Sequence, residues 1–536
     1  MIDVGSTGSR LHIFELVASA TSPDSNDSSQ ESTIECLRRG STKARTPLSA
    51  FADDSGSDNS NQNESLNATH VAHHMLPLFD YASDIIPSKF HSSTPVVIAA
   101  TAGMRLLSVE VQTQVYDALY EGLLEQVSYG RFTFTNLKRA DILTLDGERE
   151  GFYGAVAANY LRGVVDAELK VIVPPENDQE DLGKGEKQTD SPDTNDQGLC
   201  TNKFGMCEQD AEDVVFGPSH HYVPQSMHDI KRHGPLGALD MGGSSTQIVY
   251  RHADKNDDLH YSTLGTNESA ENSESTKPYD VPSHLNDEEF FSTSYLSYGA
   301  DQFRERLWDL WVSEAKEKSP VDDVNLPVIF NPCSFVGYQT TYNGYNLLGT
   351  GDALLCTEQV KRLIPHHDNV IDLDELYDEN LAKEEEKLQT IKRRMVGGVE
   401  HPPLPKDGKF YGMSLYFFTL DCLRELSDPA HPIHVSWPTP SIEELTHALE
   451  AFCARNWQGD LEEVQHEAHE HTGAELLPHR CMEATYMVTL LRDGFGFHPT
   501  SRDITFILHL DGNEVEWSLG LALSEFAAER RKQMEP

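Results

Sequence analysis

Two short loops constrain this chain more than any other feature of its sequence. Residues 3–10 (DVGSTGSR) and 240–247 (DMGGSSTQ) each place an aspartate at the end of an apolar run and follow it with Gly, Ser and Thr. Glycine lets the backbone approach phosphate oxygens closely, amides and hydroxyls donate to those oxygens, and an aspartate holds a hydrated cation beside them. One such loop alone is usually a turn between strands. Two of them predict related lobes that grip phosphate groups between two hairpins.

The length of the chain indicates how many cores it forms, and its charge excludes some classes of partner. The chain has 536 residues, 38% of them apolar, and a single core rarely grows beyond about 250 to 300 residues, so we expect two cores. Its 42 basic and 87 acidic residues give a formal charge of −45, which argues against nucleic acid and anionic membrane surfaces as partners. A polyanionic substrate therefore requires local backbone amides and a cation.

Hydrophobic periodicity predicts an α/β fold, because short apolar runs alternate with helical patterns and sites in such folds lie at strand ends. The apolar runs are residues 95–100, 237–240 and 504–510. The helical patterns are residues 109–126, 151–161, 298–312, 442–452 and 483–492. Polar stretches predicted to be surface insertions lie near residues 19–33, 51–69, 174–234, 252–289 and 365–409.

Two further segments carry groups that suit phosphate chemistry. Residues 147–154 (GEREGFYG) place Glu150 at a helix start, where acidic residues also stabilise the helix dipole without any catalytic role. A hydrolase needs one carboxylate of this kind to deprotonate the attacking water. Residues 101–107 (TAGMRLL) offer a hydroxyl and a guanidinium, although alone they form an ordinary strand-to-helix turn.

These motifs resemble the five signature regions of the apyrases, the nucleoside triphosphate diphosphohydrolase family, in their usual order. The matching segments are DVGSTGSR, TAGMRLL, GEREGFYGAVAANYL, LDMGGSSTQIVY and EWSLG at residues 516–520. The resemblance implies a two-lobed actin-like (ribonuclease H-like) α/β fold with duplicated phosphate-binding lobes. We expect lobe I to comprise residues 1–149 and 509–536, and lobe II to comprise residues 150–508.

The resemblance also implies the chemistry: removal of the terminal phosphate from nucleoside tri- or diphosphates, with Ca²⁺ or Mg²⁺ as cofactor. Glu150 matches the catalytic base of the family, and Asp3 and Asp240 match the pair that holds the metal through its waters. The residues that match those positioning the nucleophilic water are Thr101, Ser245 and Gln247. The residues that fall in the phosphate loops are Ser6, Thr7, Gly8, Gly243 and Ser244. Trp517 matches the signature tryptophan, or is a core indole.

The sequence departs from the family pattern beside the catalytic glutamate and at the positions that contact the nucleobase. Arg149 precedes Glu150 where many members have a second glutamate. Cell-surface members clamp the nucleobase between two tyrosines, and the aligned positions here are Phe418 and Arg480. A ring and a guanidinium can still hold a base by stacking and cation–π contact, so the base preference stays open.

The cysteines and sequons indicate the secretory pathway. Eight scattered cysteines lack the CxxC spacing of a zinc site and favour disulfides, and Asn-x-Ser/Thr sequons occur at Asn26, Asn63, Asn67 and Asn267. Spacing leaves the connectivity open; by resemblance we expect Cys453–Cys481, with Cys333–Cys356 and Cys200–Cys207 as further pairs. The GSTGSR loop is similar to that of organelle-resident and soluble members, whereas cell-surface members more often carry a histidine there, which favours the Golgi or endolysosomal lumen over secretion or the cell surface.

No apolar run reaches the roughly 18 residues of a membrane span. The chain is expected to begin inside its first strand, which leaves open a signal peptide or membrane anchor beyond it. The segment 466–471 (HEAHEH) lacks the i, i+4 histidine pair of a zincin helix, so we predict a solvated acidic helix there.

Two other function classes fit parts of the pattern. A sugar or acetate kinase of the same superfold would require an aspartate that binds an acceptor, and it would release no phosphate from nucleotide alone. A non-catalytic nucleotide-binding module would bind and exchange nucleotide with slow turnover, but the five intact motifs argue against it.

Overall fold

The structure of the protein is a computed structural model that describes residues 1–18, 34–55, 66–172, 235–251, 285, 289–318, 327–364, 394–405, 408–510 and 512–534. Most of each polar stretch predicted to be an insertion lies outside these residues.

The strands are β1 Ile2–Gly5, β2 Gly8–Ala18, β3 Ile34–Ala44, β4 Val96–Ala100, β5 Leu137–Thr144, β6 Gly237–Met241, β7 Ser245–Arg251, β8 Phe290–Leu296, β9 Val328–Asn331, β10 Gln339–Tyr342, β11 Tyr345–Gly349, β12 Arg394–Val396, β13 Val399–His401, β14 Phe410–Gly412, β15 Ile504–Phe506, β16 His509–Leu510 and β17 Asn513–Glu514. The α-helices are α1 Ala68–His73, α2 Leu76–Ile85, α3 Ser88–His91, α4 Ala102–Arg105, α5 Val109–Ser128, α6 Gly147–Leu161, α7 Ala300–Lys318, α8 Ala353–Lys361, α9 Leu415–Glu425, α10 Ile433–Ser436, α11 Ile442–Cys453, α12 Glu462–Val464, α13 Arg480–Thr489 and α14 Trp517–Met534.

Two five-stranded sheets repeat one topology. The first sheet has the order β3-β2-β1-β4-β5 and the second has the order β8-β7-β6-β14-β15. In each sheet a central strand pairs antiparallel with the hairpin strand that follows it and parallel with the strand on its other side. The duplication predicted from two similar loops therefore extends to two whole sheets, and the predicted two-lobed α/β fold is confirmed.

Helix α6 connects the two sheets. It follows β5 of the first sheet, and the side chain of its N-cap residue Asp146 accepts a hydrogen bond from the amide of Arg149. The helix then packs against β6, β7 and β8 of the second sheet and against α14. Gly520 of α14 allows this contact, because a Cβ there would lie 1.9 Å from the carbonyl oxygen of Tyr153. The lobe boundaries near residues 149 and 509 stay predictions.

Two disulfides fasten the helical part of the second lobe. Cys333 follows β9 and bonds to Cys356 of α8, and Cys453 at the end of α11 bonds to Cys481 of α13. Both pairs agree with the expectation. The expected pair Cys200–Cys207 lies outside the described residues. Cys36 and Cys422 are buried free cysteines.

One expectation about secondary structure is wrong. The segment 466–471 is not a solvated helix: α12 ends at Val464, turns follow, and the His469 side chain is buried. Its ring is held by polar partners inside the protein, which the alternation of charged and histidine residues does not reveal. Within the part of the chain that the structure covers, no helix is long and apolar enough to cross a membrane.

Candidate active site

The two predicted phosphate loops lie face to face. The first joins β1 to β2 and the second joins β6 to β7, so that Asp3 pairs with Arg10 and Asp240 pairs with Gln247 at equivalent positions. A Cβ on Gly243 of the second loop would lie 3.3 Å from Oγ of Ser6 in the first. The loops of the two lobes therefore approach to contact distance.

Glycine is required where these loops meet the rest of the protein. Gly8 has φ of 150°, and a Cβ there would lie 2.4 Å from the carbonyl oxygen of Ala44. A Cβ on Gly103 of α4 would lie 3.0 Å from Cα of Ser6. Both approaches bring backbone against backbone, which a larger side chain prevents.

Glu150 lies in the first turn of α6 and faces the second loop. The residue is 8% exposed, and Oε2 accepts hydrogen bonds from Arg105 Nη2 at 2.6 Å and from Gln247 Nε2 at 3.1 Å. Burial raises the pKa of Glu150 to about 7, with Arg105 opposing the rise and Asp240 adding to it. A carboxylate with this pKa near neutral pH suits a general base.

Ser245 and Gln247 belong to the same hydrogen-bonded group. Oγ of Ser245 accepts from Arg105 Nη2 at 3.1 Å and from Gln247 Nε2 at 2.9 Å. A hydroxyl has two acceptor sites and one proton, so the proton of Ser245 is left to donate elsewhere. Gln247 Nε2 also reaches Oγ of Ser294 at 3.2 Å.

The carboxylates of Asp3 and Asp240 form an electronegative pair. Oδ1 of Asp3 is buried and has no hydrogen-bond partner among the described residues. Burial raises the pKa of Asp3 well above its usual range, and the nearby charges of Glu150, Glu516 and Asp240 raise it further. Burial is also the main cause of the raised pKa of Asp240. An orphaned carboxylate oxygen among like charges fits an oxygen-ligated Ca²⁺ or Mg²⁺.

The remaining predicted residues occupy supporting positions. Thr101 caps α4, with its amide 3.0 Å and its hydroxyl 3.4 Å from the carbonyl oxygen of Val4, which ties α4 to β1. Thr7 is exposed at the tip of the first hairpin, and Ser244 is buried in the second loop. Trp517 is buried beside Ala99 in a small apolar cluster, as expected of a core indole.

The expected nucleobase clamp requires correction at Arg480. This residue is 1% exposed, and its guanidinium bonds to Glu483 at 2.6 Å and to the hydroxyls of Thr419 and Thr472. A clamp must present a flat face to its ligand. The guanidinium of Arg480 is instead buried inside the lobe, where it donates hydrogen bonds to these partners. Phe418 is half-buried, with the ring of His471 at 5.6 Å from its own.

Three residues of the site had no assigned role in the sequence interpretation. From the sequence Arg105 is a guanidinium in a strand-to-helix turn, whereas in the structure it contacts both Glu150 and Ser245. Glu516 precedes Trp517 in a signature segment and pairs with Arg10 at 2.5 Å. Ser414, with φ of 54°, bonds to the carboxylate of Asp240. Arg105 and Glu516 lie in motifs that the sequence shows and Ser414 does not, but the partners of all three depend on tertiary structure.

A duplicated α/β fold with two facing Gly/Ser/Thr loops, paired aspartates and a buried glutamate defines a phosphohydrolase. The sequence profile of the GDA1/CD39 (nucleoside phosphatase) family matches residues 1–534, and the chain belongs to this family. It is therefore a nucleoside phosphatase, which confirms the predicted enzyme class.

Individual relatives have low sequence identity to this chain but match it over almost its whole length. The chain is 23% identical to "Golgi apyrase" of Saccharomyces cerevisiae over 98% of this chain and 69% of that protein. It is 23% identical to "Nucleoside-diphosphatase mig-23" of Caenorhabditis elegans over 97% of this chain and 75% of that protein. A solved nucleoside triphosphate hydrolase of Neospora caninum has the same fold, with a TM-score of 0.57, 14% identity, and coverage of 99% of this chain and 92% of that one.

Proposed function

We propose that the protein removes the terminal phosphate of nucleoside tri- or diphosphates by in-line attack of a water molecule that Glu150 deprotonates. The observation that carries this proposal is the contact of Glu150 with Gln247 and Arg105, which joins the base to the second phosphate loop. Because Glu150 is buried and its pKa is raised to about 7, it accepts a proton more readily than an exposed glutamate.

Substrate binding is assigned to the two loops. Ser6, Thr7 and Gly8 of the first loop and Gly243 and Ser244 of the second supply amides and hydroxyls to the phosphate oxygens. Thr101, Ser245 and Gln247 orient the attacking water. The proton of Ser245 is available for this purpose, because its two acceptor sites are already used by Arg105 and Gln247.

Asp3 and Asp240 would hold Ca²⁺ or Mg²⁺ through its waters. When bound, the cation neutralises charge on the phosphate oxygens. The chain carries a formal charge of −45, so a polyanionic substrate requires this local compensation.

A phosphate-release assay with ATP, ADP, UDP, GDP and the corresponding triphosphates, with Ca²⁺ or Mg²⁺, tests the proposal. We expect multiple turnovers of phosphate release with no acceptor present. Release that requires an added acceptor would indicate a kinase, and binding without turnover would indicate a nucleotide-binding module. The same panel measures the base preference and whether hydrolysis stops at the diphosphate.

The protein is assigned to the secretory pathway, since its disulfides Cys333–Cys356 and Cys453–Cys481 suit an oxidising compartment and a Golgi apyrase is among its relatives. Within that pathway we propose the Golgi or endolysosomal lumen, with secretion or the cell surface as the alternative. A membrane anchor outside this sequence is compatible with either location. Immunofluorescence of the full-length gene product against compartment markers tests this assignment.

A further inference from the structure

A second group of potential metal ligands lies in the second lobe, outside the phosphate loops. Asp421 and Glu425 are one turn apart on α9, and His469 comes from the turns that follow α12. One ligand atom from each residue lies within 4.8 Å of the other two. We propose that these three residues bind a zinc ion.

The distances suit a small tetrahedral ion. Nε2 of His469 lies 3.2 Å from Oδ2 of Asp421 and 3.9 Å from Oε2 of Glu425. Zinc bonds of about 2.0 to 2.2 Å separate neighbouring ligand atoms by about 3.4 Å in a tetrahedron. Glu425 is 41% exposed at its side chain and has room to close the remaining gap. Its exposure also gives the ion a path from solvent and leaves a position for water.

Arg424 orients both carboxylates without occupying the proposed ligand atoms. Its Nη2 lies 2.6 Å from Oδ1 of Asp421 and 3.1 Å from Oε1 of Glu425. These are the outer oxygens, so Oδ2 and Oε2 are left on the side of His469. Two carboxylates and one guanidinium sum to a charge of −1 (−2 + 1), which still attracts a dication.

Thr472 orients the imidazole in the same way. Its Oγ1 lies 2.9 Å from Nδ1 of His469 and accepts a hydrogen bond from Nε of Arg480 at 3.0 Å. The second acceptor site of this hydroxyl can take the Nδ1 proton. In that tautomer Nε2 is unprotonated, and the ion would replace its hydrogen bond to Oδ2 of Asp421. Zinc-binding histidines are commonly held by such a second hydrogen bond. Each proposed ligand therefore has an orienting partner, which Asp421 and Glu425 share.

The consequence of binding is structural. The ion would fasten the turn segment 465–476 to α9, and this segment carries His471, whose ring contacts Phe418. The site shares no residue with the group around Glu150, so zinc binding and phosphate release are separable.

The experiment titrates zinc into the complete chain after chelator treatment, with millimolar Mg²⁺ present to occupy the phosphate site. A chromophoric competitor measures affinity and elemental analysis measures stoichiometry. We expect the wild type to bind an additional zinc ion compared with Glu425→Gln, whose affinity for that ion falls by at least about 10- to 100-fold. The control is Glu470→Gln, an exposed carboxylate of the same turn segment that should bind zinc like the wild type.

Thermal unfolding gives a second measurement, because an ion that binds only the folded state raises the melting temperature of the protein. Zinc should raise the melting temperature of the wild type and of Glu470→Gln, but not that of Glu425→Gln. Phosphate release with Mg²⁺ should be unchanged in Glu425→Gln, since Glu425 lies outside the catalytic group. Equal zinc binding by the wild type and Glu425→Gln, or none by the wild type, would overturn the proposal.

Discussion

Arg105 donates from Nη2 to Oε2 of Glu150 across 2.6 Å, so a residue of α4 holds the carboxylate that α6 carries. Burial alone disfavours an ionised glutamate, whereas the adjacent guanidinium favours it. The balance of these two effects keeps Glu150 able to exchange a proton near neutral pH.

The first prediction follows from this balance. Replacing Arg105 with Gln removes a positive charge beside Glu150, so the pKa of Glu150 should rise by about 1 to 3 units. A base acts only when ionised, and the acidic limb of the kcat–pH profile should therefore move to higher pH. Arg149→Gln is the control, since that exposed residue pairs with Asp146 and should leave the limb in place. Superimposable profiles for both variants and the wild type would refute the role given to Arg105.

The second prediction concerns the start of α6. A Cβ on Gly147 would lie 2.1 Å from Arg105 Nη1 and 2.2 Å from Cβ of Ser294, so in Gly147→Ala the helix start, the Arg105 side chain or β8 must shift. Because small displacements of catalytic groups are costly, we expect kcat to fall by about 10- to 100-fold. Gly154→Ala is the matched control on the same helix, where the new Cβ meets only Met413 at an ordinary 3.4 Å. Equal kcat values for the two variants would show that the helix start tolerates movement.

The third prediction concerns the metal. Chelation should abolish phosphate release, and Ca²⁺ or Mg²⁺ should restore it. Because the pKa values of Asp3 and Asp240 are raised, these carboxyl groups hold protons at a higher pH than ordinary aspartates do. A cation that binds them must displace those protons. The apparent Ca²⁺ affinity should thus weaken as pH falls, with proton release detectable by calorimetry in buffers of different ionisation enthalpy. Full activity in chelator would remove both aspartates from this role.

The fourth prediction concerns cysteine chemistry. Burial raises the pKa of the Cys36 and Cys422 thiols to about 12, so both should resist alkylation in the folded protein and react after unfolding. Non-reducing peptide mapping of material from a secretory host should recover Cys333–Cys356 and Cys453–Cys481. If all eight cysteines of the chain were free in that material, the assignment to the secretory pathway would be wrong.

The local chemistry of the site was predictable because it depends on short segments. An aspartate at a strand end followed by Gly, Ser and Thr predicts a tight hairpin from its own residues, and both segments form such hairpins. Two such segments sufficed to predict the paired lobes, and the position of Glu150 at a helix start followed from its own neighbours.

Partners that are distant in sequence were not predictable. Arg480 looked available for stacking because nothing in its segment identifies Thr419, 61 residues away, as its partner inside the lobe. His469 looked solvated for the same reason, since Asp421 approaches it from α9, 48 residues away in sequence. Burial of a polar side chain is decided by such partners, and local patterns do not contain them.

Glu150→Gln tests the central claim most directly. Glutamine keeps the shape of the side chain but cannot take the proton, so kcat should fall by about 10² to 10⁴-fold while nucleotide affinity, assigned to the loops and metal, stays nearly unchanged. Glu148→Gln is the control, because it lies in the same first turn of α6 but is exposed. Single-turnover phosphate release and equilibrium nucleotide binding should be measured for both variants. A small and equal loss of kcat in the two would mean that Glu150 only stabilises the helix and that another group is the base.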